Sequence, residues 1–198
     1  MIASGGPRPD APGTLTQLFF TAIEKYDRAD AMLFKAGGEW RPISHRELLT
    51  RVRNLARGLQ TLGVAAGDRV AILSENRPEW AIADYACLTT RVADVPLYPN
   101  LPPDQIAYIL NDAGAVAVFV SNAALAAKIA EARRTVPSLK TVIGFERGLA
   151  GADITLAELE AKGAAGAPAD FAATHRADAQ EDEAGRPRDA DLHLGHDG

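Results

Sequence analysis

The amino-acid sequence predicts an α/β fold: a doubly wound, mainly parallel sheet with helices on both faces, preceded by a helix and a β-hairpin. Short apolar runs suited to buried strands recur at Val70–Leu73, Ala93–Tyr98, Ala115–Val120 and Thr141–Phe145. Segments of helical pattern separate them at Pro78–Thr90, Pro102–Ala113 and Ala123–Arg134. Strands that are apolar along their whole length are buried on both faces, and right-handed crossovers lay the intervening helices on the sheet.

Met1–Gly13, rich in Gly, Pro and Ala, reads as a loose tail. Thr14 then has capping-box spacing to Gln17, and Leu15, Leu18, Phe19, Ala22, Ile23 and Tyr26 follow at helical intervals. Ala31–Lys35 and Trp40–Ile43 flank Ala36-Gly37-Gly38, whose glycines suit the positive φ of a tight hairpin turn. Ser44 and Glu47 repeat the capping-box spacing before Leu48, Val52, Leu55, Leu59 and Leu62, and Gly63 ends that helix. Alternating strands and helices fill the chain from Arg69 to Glu146, so residues 14–146 form the expected folded unit. Residues 147–173 read as a weakly structured continuation. Thr174–Gly198 holds only Leu192 and Leu194 as large apolar residues and reads as a disordered tail.

Composition narrows the function classes. Hydrophobic residues make up 47% and charged residues 24% of the 198, as in ordinary globular domains. A formal charge of −5 provides no basic footprint for nucleic acid. No apolar run is long enough for a transmembrane helix, and peripheral membrane association is left open. One cysteine, Cys87, allows no internal disulfide and no Cys-based zinc site, which suits a cytoplasmic protein.

Ser74-Glu75-Asn76-Arg77-Pro78-Glu79 gathers polar groups where a parallel strand ends, yet Pro78 falls where the next helix begins, so a capped strand-to-helix turn explains it. His45, in the first turn of a capped helix, reads as a surface residue. His193 and His196 are three apart but have no third ligand, and Cys87 lies among apolar neighbours as a buried thiol. The chain carries no G-x-G-x-x-G after its first parallel strand, no G-x-x-x-x-G-K-[ST] and no G-x-S-x-G elbow. No residue is assigned a catalytic, cofactor-binding or metal-binding role.

Six blocks in order carry a resemblance: Trp40-Arg41-Pro42-Ile43-Ser44, Leu62-Gly63-Val64, Gly67 to Ser74, Glu75-Asn76-Arg77-Pro78-Glu79-Trp80, Val95-Pro96-Leu97-Tyr98-Pro99 and Gln105 to Leu110. Together they resemble the opening of AMP-forming acyl-CoA synthetases, the long-chain fatty acid branch above all. The resemblance implies a parent enzyme using ATP, Mg²⁺ and CoA. A fatty acid attacks ATP to give an acyl-adenylate and pyrophosphate, and the CoA thiol then displaces AMP. The phosphate loop, adenine pocket and C-terminal lid of that family lie beyond the region of resemblance, so the chain is expected to be an N-terminal fragment inactive alone. Two other readings stand beside it: a non-catalytic module that binds fatty acid or pairs with a synthetase, and an unrelated flavodoxin-like domain. Arg91 departs from the family pattern by standing at a usual glycine position, where it would cost stability if the backbone needs glycine's freedom.

The family motif expected next is close to R-P-D-D-L-A-T-L-I-Y-T-S-G-T-T-G. Codons can be chosen for Asp189–Gly198 that, read one base later, spell T-L-I-Y-T-S-G-T-T, and Glu183–Arg188 likewise accommodate R-P-D-D-L-A. Codon degeneracy makes the first match a chance event of about one in ten thousand. A single-base frame change near Ala173 would therefore make Thr174–Gly198 out-of-frame translation.

Overall fold

In a computed structural model the described residues are 13–168 and 170–180. Helix α1 (Leu15–Tyr26) starts at Thr14, whose side chain accepts from Gln17 N, while the Gln17 side chain reaches back to Gly13 N rather than closing a box. Strands β1 (Met32–Ala36) and β2 (Glu39–Ile43) pair as the expected antiparallel ribbon about Gly37 and Gly38. Helix α2 (His45–Thr61) is capped by Ser44 and stops where Gly63 takes a positive φ.

The sheet is built from β3 (Arg69–Leu73), β4 (Ala93–Leu97), β5 (Ala117–Val120), β6 (Thr141–Gly144) and β7 (Ile154–Thr155). Their order is β4-β3-β5-β6-β7 and all pairs are parallel. The period of two along each strand divides the interior into two cores. Val70, Ile72, Phe119 and Ile143 face one side, with α1, α2, α3 (Pro78–Leu88) and α6 (Leu156–Gly166). Ala71, Leu73, Val118 and Val142 face the other, with α4 (Pro103–Ala113) and α5 (Ala123–Ala132). The doubly wound expectation thus stands.

Three details differ from the sequence reading. Strand β4 is not a buried strand but the sheet's edge, with Ala93 and Pro96 exposed. Ala93 N–H donates toward β3, to Asp68 O, so residues 94 and 96 turn their N–H positions outward. Pro96 has none to offer, and this blunts the edge against adding a strand. The opposite edge, β7, is only two residues long.

Within the stretch 147–173, expected to be weakly structured, α6 is a packed helix. Thr155 and Glu158 close a full reciprocal capping box, and α6 buries Leu156 and Leu159 against α2. Helix α7 (Phe171–Gln180) also crosses the boundary drawn at Ala173. It buries His175, whose ring lies 5.9 Å from Phe20 and 5.2 Å from Phe171, and pairs Arg176 with Glu24 of α1. Sparse large aliphatics hid this contact, because the His175 ring and Ala179 supply its buried side chains. The remaining part of the expected tail, 181–198, and most of the expected loose start, 1–12, lie outside the described residues.

Candidate functional site

The chain runs from β3 to β4 on one side and then returns past β3 to β5 on the other. The winding therefore reverses between β3 and β5, and open α/β sheets bind ligands in the crevice outside the carboxyl ends of such strands. Ser74, Glu75, Asn76 and Arg77 follow β3 there, Ser121 and Asn122 follow β5, and Glu146 follows β6. Pro78 occupies the first turn of α3, where its missing N–H costs nothing, and so fixes the angle at which Arg77 leaves the strand.

Arg77 is the hub. Its Nε donates to Glu79 Oε2 at 2.7 Å, and its Nη1 donates to Glu146 Oε1 at 3.2 Å and to the Ser121 carbonyl at 3.4 Å. Glu75 Oε1 lies 3.9 Å away, and the guanidinium carbon sits 5.6 Å from the centre of the Phe145 ring. Glu75 turns its other oxygen to Ser121, whose hydroxyl donates at 2.5 Å, and to Asn122 Nδ2 at 3.5 Å. Asn122 also caps α5 by accepting from Leu125 N at 3.1 Å.

Burial disfavours the charged form of Glu75, but the Ser121 hydroxyl, a backbone N–H and Arg77 outweigh it and lower the pKa. Burial opposes ionisation of Glu79 in the same way and is overcome chiefly by the Arg77 hydrogen bond. Arg77 is in turn held charged against its own burial, first by Glu79. Three carboxylates facing one guanidinium leave the crevice net negative. Glu75 and Glu79, held ionised by their donors, are poor proton acceptors near neutral pH, and a polyphosphate would meet repulsion. The cluster therefore acts as an ionic latch across three strand ends; the expected polar cap is not formed, since Arg77 stands at the N-cap of α3 without a side-chain cap hydrogen bond. Ser121, Asn122 and Glu146 were not singled out in the sequence, because only the sheet order brings them to the segment after β3.

A second pair was also missed. Asp84 of α3 hydrogen-bonds Asp94 of β4, and burial, with the Asp94 charge adding, pushes the Asp84 carboxyl up to about 6. Beside them Cys87 is fully buried, and burial, Asp94 and Asp84 together push its thiol well above the ordinary range. A protonated, enclosed thiol is no nucleophile. His45 Nδ1 accepts from Arg28 N at 3.0 Å and so ties the end of α1 to the start of α2. Arg91 adopts φ +60°, the left-handed conformation the sequence comparison raised as its cost. His193 and His196 lie outside the described residues.

A cavity of about 440 Å³ opens at the other, amino-terminal end of the sheet, lined by Leu62, Thr141, Asp153, Ile154, Glu158 and Lys162. Its polar wall is already engaged: Asp153 pairs with Arg133 at 2.9 Å and accepts from Val142 N at 2.7 Å, and Glu158 belongs to the capping box. Among the described residues no three His, Cys, Asp or Glu side chains converge as a metal cage. The acidic crevice and this ligand set do not fit a Mg²⁺–polyphosphate. Among the described residues no helix is long and apolar enough to cross a membrane.

Residues 19–189 match the family described as AMP-binding enzyme. The long-chain-fatty-acid–CoA ligase FadD15 of Mycobacterium tuberculosis is 36% identical over 137 residues, covering 65% of this chain and 23% of the ligase. The human long-chain-fatty-acid–CoA ligase ACSBG1 is 29% identical over 138 residues, covering 70% of this chain and 19% of the ligase. Among solved structures, the A-PCP didomain of a carboxylic acid reductase from Segniliparus rugosus in complex with AMP superposes with a TM-score of 0.65 at 18% identity, covering 75% of this chain and 26% of that one. The chain spans about a quarter or less of the length of each of these proteins.

Proposed function

The chain belongs to the AMP-binding enzyme family, and from that membership we propose that it is the N-terminal portion of a long-chain fatty acid–CoA ligase that forms no acyl-adenylate alone. The parent reaction joins a fatty acid to CoA through an acyl-adenylate, with ATP, Mg²⁺ and CoA as the family's reactants. The similarity to the mycobacterial ligase carries the substrate class. The reading that these 198 residues are inactive alone is supported by the share of the mycobacterial ligase that they match, 23% of its length. The purified chain, given fatty acid, Mg²⁺ and labelled pyrophosphate, is expected to exchange no label into ATP. Measurable exchange would overturn this reading.

The frame change belongs further along than Ala173. Helix α7 packs through residue 179, which supports in-frame sequence past 173, and the R-P-D-D-L-A hidden one base later in Glu183–Arg188 favours a change before 183. Sequencing the DNA across these codons and several hundred bases beyond tests the proposal: a frame encoding the rest of a ligase is expected, and its absence would sink the frame change.

A second reading is a non-catalytic module that binds fatty acid or pairs with an intact synthetase. The large apolar side chains left exposed on the β1–β2 ribbon favour it. The flavodoxin-like reading survives only as strand order: residues 19–189 match a different family and the crevice that reading requires is closed by ion pairs.

A further inference from the structure

The cavity at the amino-terminal end of the sheet lies opposite the strand-end crevice. Its volume of about 440 Å³ falls within the range of small-molecule pockets, roughly 300–1,000 Å³. Leu62 caps α2 there, Thr141 opens β6, Asp153 and Ile154 lead into β7, and Glu158 and Lys162 follow on α6. Leu62 and Ile154 are half-buried and packed against the core, so they give the cavity an apolar floor.

Both acidic side chains of the lining are already committed. Asp153 pairs with Arg133 and accepts from Val142 N, and Glu158 accepts from the backbone N–H and the hydroxyl of Thr155. The polar capacity left over belongs to donors. Lys162 acts on Glu158 through space rather than by a hydrogen bond, and the Thr141 hydroxyl has no protein partner among the described residues. Arg147 also acts on Glu158, and Lys140 adjoins Thr141. Arg133, Lys140, Arg147 and Lys162 thus outnumber the two lining carboxylates, a local positive field in a chain of formal charge −5. An apolar floor beneath an uncommitted ammonium and hydroxyl is complementary to a carboxylate that carries an alkyl chain, and it supplies too few donors for a phosphate.

We propose that this cavity binds a monocarboxylate with an alkyl chain, its carboxylate received by Lys162 and Thr141 and its chain laid on Leu62 and Ile154. This rests on the fatty-acid-binding reading above and gives it a place, at the end of the sheet away from the ionic latch.

Octanoate is to be titrated into the isotopically labelled full chain and followed by NMR, with calorimetry for the affinity. Saturable shifts of the Thr141, Ile154 and Lys162 amides are expected, with affinity lowered about tenfold by Lys162→Met and by less in Thr141→Val. Lys25→Met is the control: Lys25 is exposed on α1, outside the cavity, and its loss should leave the affinity unchanged. Thermal unfolding of each variant separates lost binding from lost fold, and the shift map of the unsubstituted chain reads the site without any variant. Octanoate binding that moves other residues and ignores Lys162→Met overturns this site while leaving the fatty-acid-binding reading in place. No binding of octanoate or palmitate overturns both. Inorganic phosphate that displaces octanoate at equal concentration would overturn the carboxylate assignment and make the cavity a general anion site.

Discussion

Gly163 of α6 lies so close to Asn54 of α2 that a single methyl group at position 163 would overlap the Asn54 carbonyl oxygen, and would stand 2.7 Å from Gly58 N. Gly58 makes the reciprocal approach, since a Cβ there would stand 2.5 Å from the Leu159 carbonyl oxygen. Two helices therefore cross backbone to backbone, which only glycine allows, with Arg51 and Glu160 pairing at 3.0 Å beside the crossing. Rigid backbone cannot move aside as a side chain tip can, so Gly163→Ala should cost about 3 kcal/mol, a Tm loss of about 6–12 °C. Gly166→Ala, with open space around it, should change stability by less than about 1 kcal/mol and in the favourable direction. Equal melting of the two variants would refute the crossing.

Arg91 supplies the next test. At φ +60° an L-residue is strained by about 1 kcal/mol relative to glycine, and its carbonyl is fixed there by the 2.8 Å bond from Gly67 N. Arg91→Gly should raise Tm by about 2–4 °C, provided the side chain's own contacts contribute less than the strain. A lower Tm would mean those contacts dominate.

These two sites mark what the sequence could and could not convey. The strands from Val70 to Phe145 and the α2 helix were legible because periodicity and caps are local signals, and a glycine missing from a shared pattern pointed to Arg91. The Gly58–Gly163 crossing was not, because its partners lie over a hundred residues apart and a mid-helix glycine reads only as a weakness. Helix α6 was passed over although Thr155 and Glu158 have the same capping spacing as Ser44 and Glu47. The latch was half legible: Glu75, Arg77 and Glu79 adjoin in the chain, whereas Ser121 and Glu146 reach them only through the order β3-β5-β6.

Asp84 gives a pH dependence with a definite sign. Its folded pKa, about 6, lies above the ordinary 3.8, so the native state binds the proton more tightly than the unfolded chain. That contribution is fully present below about pH 4 and is lost as pH rises through about 6. The pair is only half-buried, so solvent screening reduces the effect to about 1 kcal/mol. Asp84→Asn, which can still donate to Asp94, should flatten the stability profile between pH 4 and 7 and raise stability at pH 7 by about the same amount. Urea unfolding at several pH values reads both, and an unchanged slope in the variant would exclude the pair as its source.

The latch predicts the opposite slope. Glu75 and Glu79 have pKa values lowered below 4.5, so the stability they contribute is present above that value and is lost as pH falls through their folded pKa. Most of it should reside in Glu79, because its side chain and that of Arg77 are each 23% exposed, against 51% for Glu75 and Glu146. Arg77→Met leaves the carboxylates facing one another without a cation, and should cost about 2 kcal/mol at pH 7, below the range for a fully buried pair. Near pH 4, where the carboxylates take up protons, the deficit should shrink. In the double variant Arg77→Met/Glu79→Gln the loss should be smaller than the sum of the single losses, with a coupling of about 1 kcal/mol. Strict additivity would mean that Glu79 is a bystander and that Arg77 holds the strand ends through Ser121 and Glu146 instead.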